Sequence, residues 1–397
     1  MTQSWHDVDT LRARVVVWPD GPADGDAGIY GVRVSGMRAT VRDALAVAAE
    51  RAGLRASAGN AATLVSGPAS LFDAFRRADP RDVCERIARA VDRVRTPPHV
   101  LEVRGRALDL RRPLIVGILN ATPDSFYDRG RYFDRSAALA RADEMVAAGA
   151  DLVEVGGESA RPGPPIDTAE ESRRVVPLIE ALAGRLPVPV TVDTYKPEVA
   201  RRAVAAGAAL INDISGLADL GIAEAAAASG AALVVMHIQG RPKVRQLDPR
   251  YRSVVEEVYA FLEDRTAAAQ AAGVPGSRLV VDPGLSFGKA AHHDLEVLRR
   301  LGEFRSLGYP IYLATSRKNY IRDVLGLPFE ELLEGTAAAI AYGVAQGAQL
   351  VRTHDVRFMA RVVRMVDAIM HPSGLLDAAA RIRPEVAAHS RGDLATP

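Results

Sequence analysis

Short apolar, β-branched runs alternate with alanine-rich amphipathic stretches along the chain from residue 114 onward. Each run ends at a polar residue, and the stretch after it has helical periodicity. The runs are residues 114–120, 151–156, 188–194, 210–215, 232–237, 279–284, 310–316 and 350–355. Eight apolar strands alternating with helices indicate a parallel sheet that closes on itself. The pattern predicts a (β/α)₈ TIM barrel of α/β class, with an open doubly wound sheet as the alternative.

The helices between these strands follow from the same pattern. Alanine-rich stretches with an apolar face are expected to pack on the outside of a parallel sheet. They lie at residues 136–148, 168–183, 197–206, 252–272 and 335–347.

Residues 1–98 carry a different pattern and are predicted to form a small α+β domain that precedes the barrel. Strands are expected at 12–18 and 28–34, and helices at 41–52 and 80–94. No catalytic motif occurs in this segment. Capping of the barrel, dimer contacts and binding of another protein all remain open as its role.

The barrel domain is expected to span residues 99–371. Its first part, residues 101–110, has the pattern of a hairpin that covers the bottom of the barrel. Residues 372–397 contain scattered proline, glycine and charge, and we expect them to form a flexible tail.

Charge and composition narrow the class of partner. The chain has 50 Lys and Arg against 49 Asp and Glu, which argues against a nucleic acid or a membrane as the main partner. Small-molecule substrates are expected instead. The single cysteine, Cys84, cannot form an internal disulfide, and the first residues lack the features of a signal peptide. No apolar run is long enough to cross a bilayer, so we expect a cytoplasmic protein.

Polar residues stand at or just after the ends of the predicted strands, where TIM barrels carry their chemistry. Carboxylates and amides suit a flat heterocycle rich in donors, whereas Arg, Lys and His with an Asn suit a phosphate and its metal ion. Any one of them could merely cap a helix, but capping does not require this mixture of acid, amide and base. They are Asn120, Glu158, Asp193, Asn212, His237, Asp282, Ser316, Lys318, Arg352 and His354.

Two long loops leave the same rim of the barrel. Residues 120–130 and 156–165 are rich in Pro, Gly and charged residues, and each exceeds a minimal strand-to-helix turn. We interpret both as lids over a substrate, with ordinary surface loops as the alternative.

Several motifs, occurring in the family's order, resemble those of dihydropteroate synthases. They are Gly-Ile-Leu-Asn at 117–120, Thr-Pro-Asp-Ser-Phe at 122–126, Gly-Gly-Glu-Ser at 156–159, Arg-Pro-Gly at 161–163, Val-Asp-Thr-Tyr-Lys at 192–196, Ile-Asn-Asp-Ile-Ser-Gly at 211–216, Val-Met-His at 235–237, Ser-Arg-Lys at 316–318 and Arg-Thr-His-Asp-Val at 352–356. The resemblance implies condensation of 6-hydroxymethyl-7,8-dihydropterin diphosphate with 4-aminobenzoate, with release of pyrophosphate. It also implies Mg²⁺ as cofactor, and we expect a homodimer.

The resemblance assigns roles to residues of this chain. Asp193, Asn212, Met236, Asp282 and Lys318 are expected to bind the pterin. Asn120, Arg352 and His354 are expected to bind the diphosphate, with Asn120 also reaching the metal ion. Phe126, Pro162 and Asn319 are expected to form the arylamine site, and Asp128, Arg161 and Lys318 to take part in catalysis.

Three positions depart from the family pattern. Ala160 stands where Thr is usual, Ser286 where Gly is usual and Asn319 where Ser is usual. Two of them fall on the arylamine side, so a methanopterin-type arylamine, or loss of synthase activity, is the alternative hypothesis. A non-enzymatic pterin-binding protein is less favoured, because the lid residues Phe126, Asp128 and Arg161 are all present. A methyltransferase domain is less favoured, because it would need no diphosphate site, whereas Arg352 and His354 are present.

Overall fold

The structure is a computed structural model that describes residues 12–16, 29–37, 39–58, 62–79, 81–121 and 135–372. Its N-terminal part is an antiparallel sheet packed against helices. The elements are β1 (Arg12–Val16), β2 (Ile29–Ser35), α1 (Ala39–Arg51), β3 (Arg55–Ala58), β4 (Ala62–Pro68), α2 (Ala69–Phe75) and α3 (Arg81–Arg95). The strand order in the sheet is β1-β2-β4-β3. The predicted strands and helices are present, while β3, β4 and α2 were not predicted. The Arg-Ala-Ser-Ala sequence of β3 lacks the branched and aromatic side chains that indicate a strand.

A hairpin made of β5 (Val100–Val103) and β6 (Arg106–Asp109) follows. Leu101 and Val103 are buried in one cluster with Leu114 and Leu210, which lie at the start of two barrel strands. The hairpin thus covers the N-terminal end of the barrel, as predicted.

Eight parallel strands close the barrel, and the last pairs with the first. They are β7 (Leu114–Asn120), β8 (Leu152–Gly156), β9 (Val190–Asp193), β10 (Leu210–Asp213), β11 (Ala232–Met236), β12 (Leu279–Asp282), β13 (Ile311–Leu313) and β14 (Ala348–Thr353). Every predicted run overlaps one of these strands. The closed barrel is confirmed, and the open sheet was the wrong alternative.

Helices surround the barrel in the described part of the chain. They are α4 (Arg135–Ala147), α5 (Thr168–Ala183), α6 (Pro197–Ala205), α7 (Gly221–Ser229), α8 (Val254–Ala271), α9 (Ala291–Arg299), α10 (Asn319–Leu325), α11 (Leu333–Ala345) and α12 (Val356–Met370). Residues 373–397, nearly all of the predicted tail, lie outside the described residues. Among the described helices, none has the length and apolar character needed to cross a membrane.

The N-terminal sheet is joined to the outside of the barrel by buried charge. The Arg14 guanidinium is 5% exposed and lies 2.5 Å from a carboxylate oxygen of Glu303, in the 3₁₀ helix Leu301–Leu307 that precedes β13. The Tyr259 hydroxyl of α8 donates to the backbone oxygen of Ala13 at 3.3 Å, so the barrel satisfies part of the backbone of β1.

Replacing Arg14 with methionine is expected to lower the free energy of unfolding by about 3 kcal/mol, because the buried Glu303 carboxylate loses a cationic partner. Chemical denaturation measures the change. Arg89→Met breaks an exposed pair with Glu85 and serves as the control, with no change expected. Equal stabilities of the two variants would contradict the assigned interface.

Candidate active site

The inside of the barrel is layered, and the layer nearest the strand ends is polar. Side chains two residues apart on a strand face the same way. Leu152, Leu210, Val280 and Leu350 belong to the buried apolar layer of the interior. Two residues further along each of these strands stand Glu154, Asn212, Asp282 and Arg352. The barrel therefore brings four of its polar side chains together at the mouth.

Arg352 is the centre of an ion-paired cluster in this layer. Its Nε donates to Oε1 of Glu154 at 2.5 Å, and its Nη2 donates to Oδ2 of Asp193 at 2.9 Å. A residue expected to bind the pterin, Asp193, is thus ion-paired with one expected to bind the diphosphate, Arg352. Burial raises the pKa of Asp193 to about 7, with Arg352 acting in the opposite direction.

Glu154 was not predicted as a site residue because it lies within a strand rather than at its end. It is fully buried, and its Oε2 accepts hydrogen bonds from the Tyr312 hydroxyl at 2.8 Å and from Nδ2 of Asn212 at 3.2 Å. An acidic residue inside an apolar strand run was the signal that could have identified it.

Asp282 ends β12 and organises the loop after it. Its Oδ1 accepts from the backbone N–H of Gly284 at 2.7 Å, and burial raises its pKa to about 6. The Lys289 ammonium then closes the loop by donating to the oxygen of Gly284 at 2.8 Å and approaching Nδ1 of His237 at 2.8 Å. Burial lowers the pKa of Lys289 to about 7. This loop is therefore fixed against the end of β11.

Lys318 and Met236 lie beside that loop. The Lys318 ammonium is 4.4 Å from the centroid of the Phe287 ring, and burial lowers its pKa to about 8. Met236 is buried in a small apolar cluster with Ile214, and Phe287 packs against the same cluster. A cation and an apolar surface thus stand on one side of the mouth.

Asn120 and His354 lie at the ends of neighbouring strands. A Cβ added at Gly156 would stand 3.6 Å from Oδ1 of Asn120 and 3.8 Å from Cβ of Asp193, so these two side chains flank the glycine. Nδ1 of His354 lies 3.0 Å from the Ser316 hydroxyl, and burial lowers the pKa of His354 to about 3. His354 is therefore a neutral imidazole at physiological pH.

The predicted second lid, residues 156–165, is tethered at both sides. Glu158 accepts from the Lys196 ammonium at 2.8 Å and from the Tyr195 hydroxyl at 2.9 Å. On the other side, the Lys243 ammonium donates to the backbone oxygen of Ser159 at 2.8 Å. Glu158 thus holds the loop, although the strand-end pattern alone suggested a ligand contact.

The arylamine and lid residues are less completely placed. Phe126 and Asp128 lie outside the described residues. Arg161 is partly buried in the tethered loop, whereas Pro162 and Asn319 are exposed.

Ser286 does not aim into the mouth. At φ 70° it adopts the left-handed conformation that favours glycine. Its backbone N–H and its hydroxyl bond to the two carboxylate oxygens of Asp294 at 2.8 and 3.3 Å. The Ser286 hydroxyl is therefore held by Asp294.

Gly284→Ala is expected to destabilise the protein strongly and to weaken binding at the mouth. An added Cβ would stand 1.8 Å from the backbone oxygen of His237, so the loop after β12 must move. Gly326→Ala is the matched control, because Gly326 has the nearly identical φ of 67° but no described atom within 4 Å of an added Cβ. Only the left-handed cost of about 1 to 2 kcal/mol applies there. Thermal unfolding compares them, and an equal loss in both variants would contradict the close approach.

Comparison with known proteins places this mouth in a family. Residues 116–354 match the family described as "Pterin binding enzyme". The dihydropteroate synthase of Escherichia coli is 41% identical over 271 residues, which cover 68% of this chain and 96% of that protein. The crystal structure of the Thermus thermophilus dihydropteroate synthase in complex with 4-aminobenzoate superposes with a TM-score of 0.62 at 43% identity, covering 68% of this chain and 99% of that one.

A relative that is described as inactive is similar to this chain to the same extent. The inactive dihydropteroate synthase 2 of Mycobacterium leprae is 42% identical over 271 residues, or 67% of this chain and 93% of that protein. Fold and site define a pterin-binding enzyme with a TIM barrel. More narrowly, the chain belongs to the dihydropteroate synthase family of transferases, and dihydropteroate synthase is the function that its similarity assigns.

Proposed function

We propose that this chain condenses 6-hydroxymethyl-7,8-dihydropterin diphosphate with 4-aminobenzoate and releases pyrophosphate. The observation that carries the proposal is the polar layer at the barrel mouth, in which Asn212, Asp282, Lys318 and Arg352 converge from four strands or the loops after them. The similarity to the Escherichia coli synthase supports the reaction, and the 4-aminobenzoate bound to the Thermus thermophilus relative supports the second substrate.

The pterin is proposed to bind between Asp193, Asn212 and Asp282, with Lys318 on the same ring and Met236 against its face. Two carboxylates and an amide oxygen suit the donor edge of a pterin, since hydrogen bonds to a charged acceptor contribute about 1.5 to 3 kcal/mol each. Burial raises the pKa of both Asp193 and Asp282, and hydrogen-bond donors on the pterin would stabilise their charged forms.

The diphosphate is proposed to lie against Arg352, His354 and Asn120. In the described residues Nη1 of Arg352 has no hydrogen-bond partner, so part of the guanidinium is available to an anion. A neutral His354 can donate one hydrogen bond to a phosphate oxygen.

Mg²⁺ is proposed to bind with the diphosphate. No group of three His, Cys, Asp or Glu side chains within the described residues could hold a metal ion on its own. Mg²⁺ usually binds one or two protein oxygens together with substrate phosphates, so the Asn120 side chain at the mouth fits the ion. When bound, Mg²⁺ supplies neutralisation of charge on the leaving pyrophosphate.

In the reaction, the bond between the pterin methylene carbon and the diphosphate oxygen breaks, and the arylamine nitrogen bonds to that carbon. A proton leaves the nitrogen as pyrophosphate departs. Arg352 is proposed to stabilise the departing charge, and Arg161 to join it from the second lid. Asp128 on the first lid is proposed to stabilise the cationic methylene, and Phe126, Pro162 and Asn319 to form the arylamine site.

Pyrophosphate and Mg²⁺ together are expected to raise the melting temperature, whereas each alone has a small effect. A ligand at 100 times its Kd stabilises the folded state by about 2.7 kcal/mol. Differential scanning fluorimetry measures the shift, and Asn120→Ala is expected to abolish the joint effect, because Asn120 is proposed to contact both the metal ion and the diphosphate. An additive response in the unaltered protein would count against a shared site.

A second candidate function has support from specific observations. Ala160 and Asn319 depart from the family pattern and are both exposed, and one relative at 42% identity is inactive. A larger arylamine, or no acceptor at all, is the alternative. Pyrophosphate release measured with 4-aminobenzoate and with a ribosylated arylamine at equal concentration separates these cases.

We also propose a cytoplasmic homodimer. The support is an exposed apolar face on α12, where Phe358, Met365 and Ile369 are 43%, 62% and 63% exposed. Sedimentation velocity tests the proposal. Met365→Lys with Ile369→Lys is expected to give monomers, and an unchanged dimer would place the interface elsewhere.

A further inference from the structure

Glu154 holds two residues of the proposed site at once. It lies in the middle of β8, and three strands contribute donors to its carboxylate. Arg352 of β14 bonds to Oε1, and Tyr312 of β13 and Asn212 of β10 bond to Oε2. No other carboxylate in the described part of the mouth contacts both Arg352 and Asn212.

The carboxylate is costly to bury at this position. Glu154 is 0% exposed between Val153 and Val155, which are equally buried. A buried ion pair is often no more stabilising than well-packed apolar side chains of the same volume. Stability therefore gives no reason for an acid here, whereas a need to orient its neighbours does.

Asn212 shows what this orientation achieves. Oε2 of Glu154 accepts a hydrogen bond from the Tyr312 hydroxyl, and the Asn212 amide turns its Nδ2 toward the same oxygen. Its Oδ1 then points elsewhere, and within the described residues this buried oxygen has no hydrogen-bond partner. A buried acceptor without a partner is expected to meet a donor on a ligand.

Arg352 is oriented by the same carboxylate. Glu154 takes Nε and Asp193 takes Nη2, which fixes the plane of the guanidinium. Without Glu154, the guanidinium could turn to form a two-point pair with Asp193, and it would then occupy a carboxylate that the pterin needs.

We propose that Glu154 is a positioning residue that sets the polarity of Asn212 toward the pterin and the plane of Arg352 toward the diphosphate. This inference rests on the proposed function of the mouth. Tyr312 supports Glu154 from the side of the apolar interior, where it belongs to the buried layer.

Glu154→Gln keeps the size of the side chain but adds an amide donor. The Asn212 amide is then expected to turn over and face the pterin with its donor. The KM for pterin diphosphate should rise about 10- to 100-fold, because a buried donor is left facing a donor. The KM for 4-aminobenzoate should not change, since in the described part of the chain Glu154 bonds to Asn212, Tyr312 and Arg352 and not to Pro162 or Asn319.

The double variant Glu154→Gln with Asn212→Asp is the decisive arm. The new amide at position 154 donates to one oxygen of the new carboxylate at position 212. The other oxygen of that carboxylate then faces the pterin as an acceptor, as Oδ1 of Asn212 does in the unaltered protein. We expect the KM for pterin diphosphate to fall back toward that of the unaltered protein. A merely structural role predicts that two changes in one buried cluster do more damage than one.

Glu303→Gln is the matched control, because Glu303 is also buried and paired with arginine but lies outside the mouth. It should lower the melting temperature and leave both KM values unchanged. An unchanged KM for pterin diphosphate in Glu154→Gln, or a double variant no better than the single one, would overturn the inference. If Asp282→Asn also leaves pterin binding unchanged, the proposed site itself is misplaced; if Asp282→Asn weakens binding, only the role of Glu154 fails.

Discussion

Replacing Arg352 with methionine is expected to lower kcat/KM by about 100- to 1000-fold, the effect of removing a group that stabilises developing negative charge. The change removes a guanidinium that contacts both Glu154 and Asp193. Because Arg352 opposes the effect of burial on Asp193, its loss should raise the pKa of Asp193 above about 7. Asp193 would then be protonated at neutral pH and a weaker acceptor for the pterin. Steady-state kinetics measures the loss.

Arg352→Lys is the control for that experiment. Lysine keeps the positive charge but lacks the planar guanidinium that bonds to two carboxylates at once. We therefore expect a kcat/KM between those of the unaltered protein and the methionine variant. A methionine variant within tenfold of the unaltered protein would show that Arg352 does not act on the leaving group.

Asp282→Asn is expected to weaken the binding of pterin diphosphate by about 1 to 3 kcal/mol, because the hydrogen bonds to the pterin lose charge assistance. Isothermal titration calorimetry measures the affinity. The amide oxygen can still accept from the backbone N–H of Gly284, so the loop after β12 should keep its conformation. Unchanged affinity would show that the pterin binds elsewhere.

The same variant should be more stable than the unaltered protein at pH 7 in the absence of ligand. Burial raises the pKa of Asp282 to about 6, above the value of about 3.9 of an unfolded chain. Between these values the folded state binds more protons, so this group's contribution to stability grows as pH falls and is lost as pH rises through about 6. We expect the advantage of Asp282→Asn to be about 3 kcal/mol at pH 7 and to vanish near pH 4. Denaturation at both pH values checks the sign.

The barrel could be predicted from the sequence because its strands lie in apolar runs that lead to polar residues. Val190–Asp193 and Leu279–Asp282 are typical, since three apolar or β-branched residues lead to an acid at the mouth. The positions of Asp193, Asn212, Asp282 and Arg352 at one end of the barrel followed from this pattern alone. Their roles toward ligands remain predictions.

The contacts between these residues could not be read from the sequence. The pair between Arg352 and Asp193 joins β14 to β9, which are 159 residues apart and not neighbours in the barrel, so it depends on how the barrel closes. Glu154 and Tyr312 lie inside strands, so a pattern of polar residues at strand ends does not identify them. In the N-terminal domain, the sequence of β3 gives no strand pattern because it lacks branched and aromatic side chains. Its strand conformation depends on pairing with β4.

The central claim is that this mouth performs the synthase reaction, and product formation tests it most directly. Purified protein is mixed with 6-hydroxymethyl-7,8-dihydropterin diphosphate, Mg²⁺ and 4-aminobenzoate, and pyrophosphate and dihydropteroate are both quantified. We expect equal amounts of the two products, formation of both only when the arylamine is present, and near absence of both in the Arg352→Met variant. Tight binding of the pterin diphosphate without arylamine-dependent release of pyrophosphate would contradict it.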